Sequence, residues 1–197
     1  MNSPASERLI LASTSPYRKR LLERLQISFE TAAPDVDETP MAGESPKSRA
    51  VRLSREKALA VSAGREDALT IGSDQVASID DQLLHKPGNQ KNAIAQLTRC
   101  SGREVQFHTG VALVQNSRVI AYDSAFTSVQ FRRLSEPTIS DYVIRDQPFD
   151  CAGSFRWEGL GIALFERLTS DDPTALEGLP LITLVSLLAE AEISNFI

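Results

Sequence analysis

Residues 69–82 read LTIGSDQVASIDDQ. The run up to Ile79 is mostly aliphatic and β-branched, interrupted by Gly72-Ser73-Asp74, and it predicts a strand. Asp80-Asp81 then offers a hairpin-type turn. The two flanks of this stretch read differently. Upstream, RLILAS at 8–13 predicts a short buried strand, and Pro16 opens a helix capped by Ser15, with Tyr17, Leu21, Leu22 and Leu25 at helical spacing. Residues 28–33 predict a second strand. PDVDETPMAGESP at 34–46 is acidic, rich in Pro and without apolar period, hence a loop. Ser45-Pro46 starts a long helix to about residue 63, with Ala50, Leu53, Lys57 and Ala60 on related faces. Downstream come a helix over 89–99, two long strands over 104–115 and 118–131 joined by Asn116-Ser117, and a helix over 135–145. A glycine-punctuated CAGSFRWEGLG and a last apolar helix over 181–190 follow. Strand and helix alternate before the quoted stretch, and strands pair locally after it. That order predicts an α/β protein with a mixed sheet.

The 197 residues suffice for one domain, or two tightly joined lobes, with a substantial core. A 42% apolar and 24% charged composition is ordinary for a soluble protein, and a net charge of −5 argues against a protein that wraps nucleic acid. Phosphate binding would therefore come from a few placed cations. Cys100 and Cys151 are far apart and form no CxxC, so a reducing, cytoplasmic setting is expected. The N-terminal segment reads as no secretory leader, and no stretch reaches the length of a membrane span. His85 and His108 are isolated. Any metal would be held by carboxylates, which points to Mg²⁺ or Mn²⁺.

Four groups of polar residues are candidates for chemistry. Ser13-Thr14-Ser15-Pro16-Tyr17-Arg18 lies between a strand and a helix, where free N–H groups and an arginine suit a phosphate; the same residues also suit an ordinary capped helix. Asp35, Asp37 and Glu38 read either as ligands for a hard cation or as a solvated acidic loop. Asp74 stands in an apolar strand, where a carboxylate is costly unless paired. It reads as a metal ligand, a general base or a turn-forming Asp. Lys57 and Lys86 matter only as part of a set. Trp157 suits either base stacking or packing, and both cysteines read as small core residues without a nearby His to activate them.

Taken in order, LILASTSPYR, PDVDE, the Arg-Glu-Lys at 55–57, IGSDQV, HKP, the Ser-Gly at 101–102, CAGSFRWEGLG and GLP resemble the Maf family of nucleotide pyrophosphatases. The likeness runs from about Leu9 to about Leu188. It implies a single Maf-like domain over 1–197, with two lobes around a cleft, similar in outline to inosine triphosphate pyrophosphatases. It implies that Asp74 is the catalytic acid and that Ser13, Arg18, Lys57 and Lys86 bind the phosphates. Glu38 and Asp74 would hold a divalent cation. The expected partner is a nucleotide, with no nucleic acid and no membrane; a homodimer is compatible with the resemblance.

The resemblance also bears on the base. The branch of the family that hydrolyses dTTP and UTP is expected to carry Arg after the first Ser-Pro, Thr after the catalytic Asp and Gln in the later glycine segment. Here Tyr17, Gln75 and Glu158 occupy those places, which looks like the 7-methyl-GTP pyrophosphatase branch. Methylation at N7 makes guanine cationic. An aromatic ring attracts a cation over its face, and a carboxylate accepts from the guanine N1–H and amino group. The implied reaction is attack of a metal-activated water on the α-phosphorus, giving 7-methyl-GMP and pyrophosphate. The alternatives are a dTTP/UTP pyrophosphatase of the same family and a nucleotide-binding regulator of cell division.

Overall fold

A computed structural model describes residues 8–65 and 67–193. The segment before Arg8, expected to carry no leader, lies outside the described residues. The chain order is β1 (Arg8–Leu11), α1 (Pro16–Glu23), β2 (Glu30–Thr31), α2 (Pro46–Ser62), β3 (Ala68–Ile79), β4 (Gln82–Leu84), α3 (Gln90–Cys100), β5 (Glu104–Gln115), β6 (Arg118–Phe131), α4 (Glu136–Asp146), β7 (Phe165–Ser170) and α5 (Leu181–Glu190). The strands form one mixed sheet in the order β2-β1-β3-β5-β6-β7, with β4 beside β3. β1 is parallel to β2 and β3. The remaining four pairs are antiparallel, and two of them, β3–β4 and β5–β6, are hairpins whose turn residues Asp80, Asp81, Asn116 and Ser117 all have positive φ. Two consecutive left-handed residues give a turn whose twist matches that of the strands.

β3 is where the parallel and antiparallel halves meet. One of its edges is covered by β5 from Thr70 to Ser78. The other edge is covered by β1 only up to Ile71 and by β4 only from Ala77. Residues 72–76 therefore face a break in the sheet. A break between differently directed neighbours is where open α/β sheets make clefts.

α2 lies across β3 and β5 at unusually close range. A Cβ on Gly72 would sit 2.1 Å from the Ser54 carbonyl oxygen, and one on Gly110 would sit 2.4 Å from that of Ala50. Only glycine admits this approach. The buried face of α2 is Arg49, Ala50, Leu53, Ser54, Lys57, Ala58 and Val61. Ala60, expected on that face, is exposed, because the helix meets the sheet through Ala58 and Val61 instead.

Buried apolar side chains gather at the two ends of the long strands. One cluster joins Leu9, Leu11, Leu21, Leu69, Ile71, Leu113 and the leucines of α5. The other joins Ile79, Leu97, Val105, Val143 and four phenylalanines. In it Phe155 meets Phe107, Phe131 and Phe165 edge-on, at centroid distances of 5.5, 5.6 and 4.9 Å, a favourable geometry for aromatic pairs. The strand expected over 28–33 shrinks to Glu30–Thr31. β1 offers it partners only at Ile10 and Leu11, after which the chain turns away. β7 was not expected. It is a polar edge strand with only Phe165 buried, so it carries little hydrophobic pattern. Among the described residues no helix is long and apolar enough to cross a membrane.

Candidate active site

The break beside β3 opens into a cavity of about 590 Å³. Asp74 lies at its floor, 7% exposed. It shares a face of β3 with Gly72, two residues away, so the helix that docks on Gly72 also overhangs Asp74. That helix delivers Lys57, itself 7% exposed. Lys57 Nζ donates to Asp74 Oδ1 at 2.6 Å and lies 2.6 Å from Glu38 Oε1. Two carboxylates thus converge on one ammonium.

Glu38 comes from the acidic loop. Burial pushes its carboxyl up, but the Lys57 hydrogen bond and charge, with Lys86 and Arg18 behind, outweigh this and hold it below the usual carboxylate range. Lys86 stands exposed after β4 and lines the cavity. Asp37 is used locally, accepting from the Thr39 N–H and hydroxyl at 2.9 and 2.6 Å. Neither Asp35 nor Asp37 lines the cavity, so Glu38 alone of the three belongs to the site.

Ser13 follows β1 and is buried; its Oγ accepts from the Ser15 N–H at 3.1 Å and from Arg18 Nη1 at 3.5 Å. Ser15 caps α1 by accepting from the Arg18 N–H. Arg18 Nε donates to the Gly178 carbonyl at 2.7 Å. Burial lowers the Arg18 guanidinium from its ordinary value, opposed by the charges of Asp74 and Glu38. Arg18, Glu38, Lys57, Asp74 and Lys86 line the cavity together, whereas Ser13, expected to bind phosphate, does not line it and instead supports Arg18 and the Ser15 turn.

The cavity also carries Tyr17, Trp157 and Glu158. Tyr17 Oη accepts from Arg156 Nε at 3.1 Å and donates to Asp150 Oδ2 at 3.3 Å. Burial pushes the phenol up to about 12. The Arg20 guanidinium stands 5.2 Å from the ring centroid. Trp157 Nε1 donates to Glu177 Oε1 at 3.3 Å. Glu158 Oε1 is 3.8 Å from Arg156 Nε. Its carboxyl is held above the usual range by burial and by the charge of Glu177. Gln75 reaches the cavity wall, but its amide nitrogen donates to the carbonyls of Ala175 and Leu176 at 2.8 and 3.0 Å.

Cys151, expected in the core, is only partly buried and lines the cavity; burial pushes its thiol up to about 11, away from thiolate chemistry. Cys100 is fully buried, as expected. Sequence reasoning missed Arg49, Asp150, Arg156 and Glu177. Arg49 had a signal, since it lies one and two turns before Leu53 and Lys57 on the buried face. Its Nη2 donates to the Glu38 carbonyl at 2.7 Å. The others sit in irregular segments where no period marks them.

Among the described residues no three His, Cys, Asp or Glu side chains come together to hold a metal alone. Glu38 and Asp74 nonetheless converge on one cationic atom and present only oxygen. That donor set fits a hard divalent ion, which needs one or two carboxylates and completes its shell with water and phosphate.

The mixed sheet, the cleft at its break and the acid–lysine pair on its floor define an α/β protein with a charged cleft. Two Ham1 proteins share the fold. One, from Coxiella burnetii, aligns over 93% of this chain and 98% of its own, at TM-score 0.51 and 16% identity. The other, from Staphylococcus aureus, aligns over 94% and 99%, at TM-score 0.54 and 13% identity. The chain belongs to the Maf family: the family described as Maf-like protein matches residues 8–191. It is 54% identical over 185 residues to the 7-methyl-GTP pyrophosphatase of Xanthomonas oryzae pv. oryzae, covering 93% of this chain and 96% of that one. It is 50% identical over 192 residues to the 7-methyl-GTP pyrophosphatase of Cupriavidus metallidurans, covering 97% and 96%.

Proposed function

We propose that this chain is a nucleoside triphosphate pyrophosphatase that converts 7-methyl-GTP to 7-methyl-GMP and pyrophosphate. The observation that carries this reading is the opposite polarity of the two ends of the cleft. Arg18, Lys57 and Lys86 line the cavity around Glu38 and Asp74. Around Trp157 and Tyr17 it is lined instead by Glu158, Glu177 and Asp150, which outnumber the Arg156 guanidinium beside Asp150 and Glu158. A substrate with an anionic triphosphate and a cationic base fits both ends at once. The names of the relatives support the same substrate.

In this reading water attacks the α-phosphorus, the bond from that phosphorus to the bridging oxygen breaks, and pyrophosphate leaves. Lys57 holds Asp74 Oδ1, which leaves Oδ2 to take the water's proton. Arg18, Lys57 and Lys86 stabilise the charge that grows on the leaving group. Glu38 and Asp74 would hold a divalent ion, which when bound supplies charge neutralisation and a more acidic water. We further read the chain as one domain, since β3, β5 and β6 run through both core clusters, and as cytoplasmic, since both cysteines are unpaired.

The test is pyrophosphate release from 7-methyl-GTP, GTP, UTP and dTTP, with and without added Mg²⁺ or Mn²⁺. The expected order places 7-methyl-GTP first. Faster hydrolysis of UTP or dTTP would replace this reading with the pyrimidine branch, and full activity in EDTA would remove the metal.

A further inference from the structure

We infer that Glu177 faces the base and helps to select a cationic one, and that Gln75 influences base choice by positioning Glu177. The inference rests on the substrate reading above and extends it to two residues.

Gln75 is badly placed to donate to a base. Its amide nitrogen donates to two carbonyls, of Ala175 and Leu176. Two carbonyl partners fix which end of the amide is nitrogen. Both donors of the NH₂ group are thereby committed within the protein. What Gln75 holds is a short 3₁₀ turn, Pro173–Glu177. Thr109 Oγ1 donates to the same Ala175 carbonyl at 2.9 Å. Ser73 Oγ and Arg18 Nε donate to the Gly178 carbonyl at 2.8 and 2.7 Å. The turn closes at Gly178 with φ 107°, a conformation that favours glycine. Five hydrogen bonds from the sheet and α1 therefore fix the backbone on both sides of Glu177.

Glu177 is half-buried and lines the cavity. Trp157 Nε1 donates to its Oε1. That bond links it to the residue beside Glu158, whose carboxyl the charge of Glu177 helps to raise. Among the described residues no ammonium or guanidinium comes within 4.0 Å of Glu177; its hydrogen-bond donor is a neutral indole. A carboxylate that lines a cleft near another, with a neutral indole as its donor, favours a ligand that brings positive charge. Guanine methylated at N7 brings one, and unmethylated guanine does not.

The experiment measures kcat/KM for 7-methyl-GTP and for GTP in the wild type, Glu177→Gln, Glu177→Asp, Gln75→Leu and the double variant Gln75→Leu/Glu177→Gln. Glu177→Gln is expected to cost 7-methyl-GTP about fivefold more than GTP, mainly in KM, as removal of a partly exposed charge pair would. Glu177→Asp keeps the charge and most of the preference. Gln75→Leu also narrows the preference, but adds nothing once Glu177 is Gln, because residues acting as one unit are not additive. Equal losses on both nucleotides in Glu177→Gln overturn the role of Glu177. An unchanged effect of Gln75→Leu in the double variant overturns the coupling. The wild-type order of nucleotides judges the substrate reading, whereas the shift between variants judges this inference, so the two fail separately.

Discussion

At one end of the cleft Lys57 joins Asp74 to Glu38, with Arg18 and Lys86 beside them. At the other, Arg156 faces Asp146, Asp150 and Glu158, the charge of Arg20 also reaches Glu158, and Glu177 stands beside them with Trp157 as its hydrogen-bond donor. The first end is cationic and its floor rests on regular structure, Asp74 on β3, Lys57 on α2 and Arg18 on α1, with Glu38 and Lys86 added from loops. The second is anionic, and most of its residues stand on irregular segments. Chemistry common to all triphosphates needs fixed geometry, and secondary structure holds it better than loops do. Choice of base needs a surface that varies among related proteins, and loops vary most easily.

The largest effect that would sharpen this contrast comes from the floor of the cationic end. Asp74→Asn keeps the shape and removes both the charge and the proton acceptor. Turnover should fall at least ~100-fold on every nucleotide, the lower range for losing a general base. Single-turnover rates on 7-methyl-GTP and GTP would check it. A variant that kept half its activity would place the proton acceptor elsewhere.

Next come the cations. Arg18→Ala, Lys57→Ala and Lys86→Ala should each lower kcat/KM by roughly ten- to a hundred-fold, since a charged hydrogen bond contributes about 1.5–3 kcal/mol. Lys57 should matter most, because its loss also leaves Asp74 buried and unpaired. The loss should be similar for all bases. A substitution here that reordered the bases would break the division between the two ends.

A smaller effect is expected at the anionic end. Glu158→Gln keeps the size of the side chain and removes its charge. It should reduce the ratio of kcat/KM for 7-methyl-GTP over GTP by about tenfold, or ~1.4 kcal/mol of discrimination. Hydrolysis of UTP by the same variant should fall less than that of 7-methyl-GTP.

The contrast also explains what could be read in advance. Residues 104–115 and 118–131 appear as strands with the expected bounds, because long alternating runs and a two-residue turn leave few other structures open. Asp74 stands out as a carboxylate inside an apolar strand, whereas Ser13, Arg18 and Lys57, each open to an ordinary structural reading alone, become candidates only when the motifs are read together as a Maf-like set. Glu177 and Arg156 were not found. Each sits in a turn whose place depends on distant partners, Gln75 and Thr109 for one, Tyr17 and Asp146 for the other. Nothing local marks such a residue. The acidic loop shows the same limit, since Asp35, Asp37 and Glu38 look alike as sequence and only contact with Lys57 sets Glu38 apart.

The smallest expected effect is one of pH, and it separates the two ends without a mutation. Glu158 is held above the usual carboxylate range, first by burial and then by Glu177. Glu38 is held below that range, because Lys57 outweighs its burial. As pH falls from neutral, a raised carboxyl protonates first, so Glu158 loses its charge while Glu38 still keeps its own. The attraction for a cationic base should then fade while the phosphate end remains intact. Titration of the triphosphate and of the phosphate-end groups enters the rates for 7-methyl-GTP and GTP alike and cancels in their ratio. That ratio should decline a few-fold on acidification, and the decline should flatten in Glu158→Gln. Measurement is best taken from neutral pH downward, since at alkaline pH 7-methylguanine loses its N1 proton and with it the net positive charge. A ratio that stays level in the wild type down to the range where ordinary carboxylates titrate would show that base choice does not depend on the charge of Glu158.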